Sequence, residues 1–303
     1  MLGAHSKIAT VAEPWLLIPM LYSLRYEGVY AEYGHRVAAR AIEGMTRTLP
    51  NGREDYLQAI ADTAIGIYDQ LAEPGTSVFL DKTPRYGLVV EELVSAFPDA
   101  TFIVLHRSPL AVVASIVSTF LDGRWKPYHH KQDLYLLAER LLTAQRDNPE
   151  AFTVVRFEDV IKDPRRTLGR ILDSLGLEWE DRVLTSFADV SVKGTVGDPT
   201  GIRDYQRLSR EPLDKWREQL DSPVRQIWMK RYLRWLGHER LELMGYSLDD
   251  LLGQLNEAPT SNTRLVTDLA DSAKGLLWST FEVEIARDKL RELPSWHRVF
   301  THN

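Results

Sequence analysis

The stretch from Val78 to Phe120, VFLDKTPRYGLVVEELVSAFPDATFIVLHRSPLAVVASIVSTF, constrains the fold more than any other part of the chain. It reads as strand, polar turn, helix, strand, polar turn, helix. Val78 to Leu80 is a short apolar run that ends in Asp81-Lys82-Thr83-Pro84. Val89, Val90, Leu93, Val94 and Phe97 then recur at helical spacing until Pro98-Asp99 breaks the pattern. Thr101 to Leu105 is continuous and rich in β-branched residues, which predicts a strand buried on both faces of a parallel sheet. In the following His106-Arg107-Ser108-Pro109, Ser108 suits an N-cap and Pro109 the first helical position. Val113, Ile116, Val117 and Phe120 form the buried stripe of the helix. Open α/β sheets bind ligands beyond the carboxyl ends of their strands. Lys82 and Arg107 therefore read as two cations aimed at one anionic ligand.

With 303 residues, 44% hydrophobic and 26% charged, the chain has enough length and apolar content for a large globular core. It has no cysteine, which excludes disulfides and thiolate metal sites and is compatible with a reducing compartment. A net charge of −6 argues against a general nucleic-acid binder. The apolar run Trp15 to Leu21 is too short to span a bilayer and lacks the flanks of a signal peptide. A soluble, cytoplasmic protein without a transmembrane segment is the expectation.

In chain order, Met1 to His5 reads as the tail of a helix, and Glu13-Pro14-Trp15 opens the apolar segment Leu16 to Leu24. Amphipathic helices follow over Gly34 to Leu49 and Asp55 to Leu71, with Pro50-Asn51-Gly52 as the turn between them. Beyond Phe120 come a polar, aromatic loop from Asp122 to His130, a helix from Gln132 to Asp147 and a strand from Phe152 to Arg156. Asp163-Pro164 caps a helix that Gly176 stops. A Gly-, Asp- and Pro-rich loop from Lys193 to Ile202 precedes helices near Glu211 to Gln219 and Pro223 to Leu236. The spacing divides the chain into an α/β domain, 1–253, and a linker with a helical extension, 254–303. The linker is Glu257 to Thr263, and one long or broken amphipathic helix covers Val266 to Leu293.

Taken singly, most candidate residues have bland readings. Lys82 alone is a solvated turn lysine, and Ser115 alone is a small polar filler. Glu13 before Pro14 suits a helix start. Lys193-Gly194 with Gly197-Asp198-Pro199 offers backbone amides and a cation, a weak phosphate-cradle signal. His129-His130 has no ligand partner at metal-binding spacing. Arg107 is harder to dismiss, because a cation ending an apolar strand is half-desolvated without an anionic partner.

In combination these stretches resemble the sulfotransferases that use 3′-phosphoadenylyl sulfate (PAPS). LGAHSKIATVAEPW, FLDKTPRY, FPDATFIVLHRSPLAVVAS, VVRFEDVIKDPRRTLGRILDSLGL and VKGTVGDP match in order, and DKWREQL and GHERLELMGY match more weakly. The resemblance implies a three-layer, P-loop-hydrolase-like α/β fold with a central parallel sheet flanked by helices. It implies that Arg107 and Ser115 hold the 3′-phosphate and that Lys193 and Gly194 belong to the loop closing over it. Phe157 matches a position beside the adenine that is often tyrosine, and Val192 stands where the loop usually opens with arginine. The opening stretch looks most like the tyrosylprotein and carbohydrate branches, in which a glutamate after the first helix is the catalytic base; Glu13 matches it. Lys82 matches the lysine that stabilises the bridging oxygen of the leaving group. Pro84 stands where the cytosolic branch has its histidine.

Family members begin with a strand and a Gly-rich loop that binds the 5′-phosphosulfate at a helix N-terminus. This sequence starts just after that point, so the resemblance implies a natural chain beginning upstream of Met1, or else a chain lacking half its donor site. Without that strand, the neighbouring strands would have unpaired edges. The reaction implied is transfer of a sulfuryl group from PAPS, without a metal, to a hydroxyl of a carbohydrate, tyrosyl or other small-molecule acceptor. Trp125, Lys126, Tyr128 and His129 are candidates for the acceptor entrance. The alternatives are a catalytically impaired protein that binds PAPS or adenosine 3′,5′-bisphosphate, and a P-loop kinase relative, against which the absent GxxxxGK[ST] motif argues. The carboxyl-terminal helix is expected to pack on the domain; pairing into a homodimer and lying on a membrane surface stay open.

Overall fold

The computed structural model describes residues 1–29, 31, 33–190, 193–194 and 208–281. A 3₁₀ turn at Leu2–Ala4 stands where a helix tail was expected, and it leads into strand β1, Ile8–Thr10. Three residues are too few to show a strand periodicity, so β1 leaves no signal of its own in the sequence. Helices α1 (Leu17–Tyr22), α2 (His35–Thr46) and α3 (Arg53–Leu71) follow. Gly52, at φ 63°, makes the turn before α3, a conformation that costs glycine little.

Strand β2 (Val78–Leu80) pairs in parallel with β1, Ile8 opposite Val78 and Thr10 opposite Leu80. A 3₁₀ segment, Pro84–Val89, and helix α4 (Val90–Ala96) lead to β3 (Phe102–His106) and then α5 (Pro109–Phe120). A π-helical stretch, Gln132–Leu137, runs into α6 (Ala138–Asp147). Strand β4 (Phe152–Arg156) lies parallel to β3 in a register running from Phe102 opposite Phe152 to His106 opposite Arg156. Among the described residues the strands thus form two parallel ladders, β1–β2 and β3–β4, rather than one continuous sheet.

Helices cover both faces of β3–β4, because alternate side chains of a strand point opposite ways. Phe102, Val104 and Phe152 meet α4 and α6 through Val90 and Ala144. Ile103 and Val155 meet Leu2, Val160, Leu168, Ile171 and Val183 on the other side. That side is built by α7 (Phe157–Lys162), α8 (Pro164–Ser174) and α9 (Arg182–Thr185). The Asp163 side chain caps α8 by accepting from the Arg166 amide, and Gly176 ends it at φ 67°. Burial of β3 on both faces holds for Val104 but not Leu105, which is 58% exposed. Leu105 shares the Ile103 face but sits at the strand's carboxyl end.

The carboxyl-terminal part comprises α10 (Trp216–Gln219), α11 (Pro223–Leu243), α12 (Leu248–Glu257) and α13 (Leu265–Phe281). It packs on α5 around Trp125, Leu220, Met229, Leu233, Leu241 and Leu255, all buried. Each such large apolar side chain contributes roughly 1.5–3 kcal/mol on burial. Helix α12 runs across positions 253–254, where the extension was expected to begin. Helix α13 is fastened by two carboxylates. Asp268 takes a bidentate pair from Arg225, both side chains 1% exposed, and buried Asp271 takes one from Arg124. The described part of the expected Val266 to Leu293 helix therefore packs back on the domain; the remainder lies outside the described residues. Among those described, no helix is long and apolar enough to cross a membrane.

Candidate active site

Parallel pairing places the ends of β1 and β2 side by side, and the two segments leaving them carry Glu13 and Lys82. The Lys82 ammonium donates to Glu13 Oε1 at 2.5 Å; the Glu13 side chain is 11% exposed and that of Lys82 59%. The other carboxylate oxygen, Oε2, accepts from the Trp15 indole at 3.4 Å. Trp15 has a φ of 54°, a left-handed backbone rarely taken by a bulky residue. Its amide donates to Thr83 Oγ1 at 3.4 Å, and the Arg85 guanidinium lies 5.6 Å from its ring centroid. Arg85 in turn forks onto Asp133 at 2.9 and 3.1 Å, and His130 Nδ1 lies 3.2 Å from the same carboxylate. Burial pushes the Asp133 carboxyl up, but the bonds from His130 and Arg85 outweigh it and hold Asp133 below the usual range.

Beneath this layer, Asp81 collects three donors: the Tyr68 hydroxyl at 2.5 Å, the Tyr86 hydroxyl at 2.7 Å and the Thr83 hydroxyl at 3.2 Å. Burial, reinforced by the Asp81 charge, drives both phenols well above their ordinary range. The turn after β2 is therefore anchored from below by a carboxylate, which fixes Thr83 and, through it, the strained Trp15. Neither Asp133 nor the Asp81 cluster was foreseen. Only the composition of the Asp81-Lys82-Thr83-Pro84 turn hinted at the second, and nothing in the sequence links Arg85 to a residue 48 positions later.

Lys193 and Gly194 lie against the same loop. The Ala12 amide donates to the Lys193 carbonyl at 2.8 Å. A side chain at position 194 would bring its Cβ within 2.6 Å of the Ala12 Cβ, and its φ of 139° already suits glycine. The Lys193 ammonium lies 3.6 Å from Glu73 in an exposed pair. The remainder of the Lys193 to Ile202 loop, and Val192, fall outside the described residues.

A second cluster forms where β3 and β4 end. The Arg107 guanidinium lies 4.6 Å over the Phe157 ring and donates to the Pro212 carbonyl at 3.1 Å. Ser108 precedes α5 as expected but makes no side-chain cap; its amide donates to Glu158 at 3.0 Å. Glu158 also accepts from the Tyr246 hydroxyl at 2.5 Å, and burial together with that carboxylate pushes the Tyr246 phenol up. Ser115 lies two turns into α5, half-buried, its carbonyl accepting from Ser118. The structure thus joins Glu13 with Lys82, sets Lys193-Gly194 beside that loop, and joins Arg107 with Phe157.

The larger of two described clefts, about 460 Å³, runs along β1 past Thr10, Val11 and Lys193; none of Glu13, Lys82 and Arg107 lines it. A shallower one of about 390 Å³ is bounded by Phe120, Asp122, Lys126, His129 and His130; Phe120, expected in the buried stripe of α5, is instead 57% exposed at its carboxyl end. Trp125 does not join Lys126 and His129 at an entrance: it is 1% exposed and forms part of the α5–α11 core, edge-on to Trp228. Tyr128 and His129 instead pack against Trp278 of α13. Among the described residues no group of acidic or imidazole side chains is arranged to hold a metal ion.

A family model described as the sulfotransferase family matches residues 1–181, more than half of the chain. The chain belongs to the sulfotransferase family. The matched region contains Glu13, Lys82, Arg107, Ser115 and Phe157, while Lys193, Gly194, Pro212, Tyr246 and helices α10–α13 lie beyond it. The nodulation protein NoeE of Sinorhizobium fredii is 28% identical over 203 residues, covering 59% of this chain. This chain spans about half of that relative's length, 46%. The sulfotransferase domain from the curacin biosynthetic pathway is similar with a TM-score of 0.48 and 21% identity, over 71% of this chain and 83% of that one. The corresponding domain of the Synechococcus PCC 7002 olefin synthase gives 0.38 and 21%, over 69% and 86%.

Proposed function

We propose that this chain transfers a sulfuryl group from PAPS to a hydroxyl of a polar acceptor. The observation that carries the reading is the Glu13–Lys82 pair at the ends of adjacent parallel strands, in a member of the sulfotransferase family. In-line transfer to a hydroxyl needs a base for the attacking oxygen and a cation for charge developing on the leaving oxygen. Glu13 supplies the first and Lys82 the second. In the resting site they neutralise each other, so an acceptor hydroxyl takes the place of Lys82 on Glu13 while the flexible lysine turns to the leaving group. Trp15 keeps the second carboxylate oxygen oriented during that exchange. Phe157 and Arg107 hold the nucleotide end, the ring beside the base and the guanidinium on the 3′-phosphate, with Ser115, Lys193 and Gly194 completing the grip. Positioning and charge placement do most of the work, as in phosphoryl transfer.

The acceptor is a small molecule or carbohydrate rather than a nucleic acid, given the net charge of −6 and the exposed Phe120 ring beside Lys126 and His130. The test is incubation of the chain with ³⁵S-labelled PAPS and a panel of hydroxylated acceptors. Label moving to an acceptor supports the reading. Binding of adenosine 3′,5′-bisphosphate with no transfer to any acceptor would instead indicate the impaired nucleotide binder.

A further inference from the structure

Helix α13 is inside out. Its buried face carries Asp268, Asp271 and Gly275, two carboxylates clasped by arginines and a glycine that leaves room for Tyr128. Its outward face carries Val266, Leu269, Ala270, Ala273, Leu276 and Leu277. At 100° per residue these six fall within about 60° of the direction of Ala273, and the buried residues lie opposite. The large ones are 79% (Val266), 54% (Leu269), 75% (Leu276) and 63% (Leu277) exposed. Lys274, at the rim, is the one charged residue among the exposed described positions of this helix.

Val266, Leu269, Ala273 and Leu276 follow the a and d positions of two successive heptads, the pattern by which helices pair with one another. Small Ala270 and Ala273 sit between larger residues at either end, so a second identical helix can lay its leucines over the alanines without a cavity. The stripe would remove on the order of 500 Å² from water in each copy, roughly 1,000 Å² in a pair, which meets the floor for a biological interface and suits micromolar rather than tighter association. A charge-free stripe flanked by few rim charges suits an identical partner, whose same patch meets it about a two-fold axis. We infer that α13 is a homodimerisation helix, pairing through Val266, Leu269, Ala273 and Leu276 with the same face of a second copy. The Arg225–Asp268 and Arg124–Asp271 clasps, the first of them fully buried, hold it with this face outward. The inference stands independently of the proposed reaction.

Sedimentation velocity on the whole chain at micromolar concentration tests it. The unaltered chain sediments as a dimer. A Leu269→Glu/Leu276→Glu chain and a Leu269→Lys/Leu276→Lys chain each sediment as monomers with unchanged circular dichroism, self-association weakened by more than about tenfold. An equimolar mixture of the two restores a dimer, because opposite charges then face each other in place of like ones. A monomeric unaltered chain would overturn the inference, whether its own 282–303 segment or another partner covers the stripe. So would an acidic and a basic variant that each stay dimeric, which would place the interface elsewhere.

Discussion

Replacing Glu13 with glutamine separates a catalytic carboxylate from a structural one. The side chain keeps its shape and one oxygen for the Trp15 indole but loses the charge that Lys82 pairs with. Lys82 is 59% exposed, so solvent screens the pair and its loss costs folding stability about 0–1 kcal/mol. A missing general base slows transfer about 10²–10⁴-fold, some 3–5 kcal/mol on the barrier. On the proposed assignment the donor is held by Arg107 and Phe157, at the ends of the other strand pair, so affinity for adenosine 3′,5′-bisphosphate stays within about twofold. Single-turnover transfer, urea unfolding and calorimetric titration of the same variant measure the three quantities together. Wild-type turnover would remove Glu13 as the base. A stability loss as large as the loss in the barrier would make Glu13 a structural residue.

Trp15→Phe removes the indole donor to Glu13 but leaves a ring under Arg85; kcat should fall about fivefold to tenfold with the donor KM unchanged, and a change in KM alone would contradict the orienting role. Arg225→Met strands Asp268 at 1% exposure and should cost about 3–5 kcal/mol in urea unfolding, whereas Arg225→Met/Asp268→Leu should recover most of that; equal losses in the two would contradict the account of the clasp. Recovery stays incomplete, because the Gln219 and Gly123 carbonyls lose the donors that Arg225 supplies. Burial holds the His106 pKa below its ordinary 6.5, with the Gln145 bond opposing that shift only in part. The unfolded chain then takes up the proton first, so this contribution is intact above pH 6.5 and declines as pH falls toward the folded value. The urea midpoint of His106→Gln should fall less steeply below pH 6.5 than that of the unaltered chain, and parallel curves would refute the assignment.

The strands β2, β3 and β4 were legible because each is an apolar run closed by a polar turn, and α8 because Asp163 and Gly176 bracket it. The parallel pairing of β3 with β4 followed from the helices between them. Strand β1 was not legible: Ile8–Thr10 gains its identity from pairing with β2, a contact 70 residues distant. The sequence leaves Trp125 open between core, cleft wall and acceptor entrance; Arg225 and Trp228, which enclose it, place it in the core. At the site, Glu13 and Lys82 were proposed from a resemblance, and the structure brings them together. The supports were out of reach, because Asp81 with Tyr68 and Arg85 with Asp133 are tertiary meetings without a local pattern. The outward apolar face of α13 was visible as amphipathic, but the pattern alone cannot say which face is turned inward. The arginines that reverse the usual choice lie in the 122–130 loop and in α11.

On the proposed function, cations at the carboxyl ends of parallel strands grip a doubly phosphorylated adenosine. Calorimetric titration of Arg107→Ala with adenosine 3′,5′-bisphosphate addresses it most directly. Loss of a charge-assisted pair of roughly 1.5–3 kcal/mol predicts binding weakened about tenfold to a hundredfold. Undiminished affinity would contradict it.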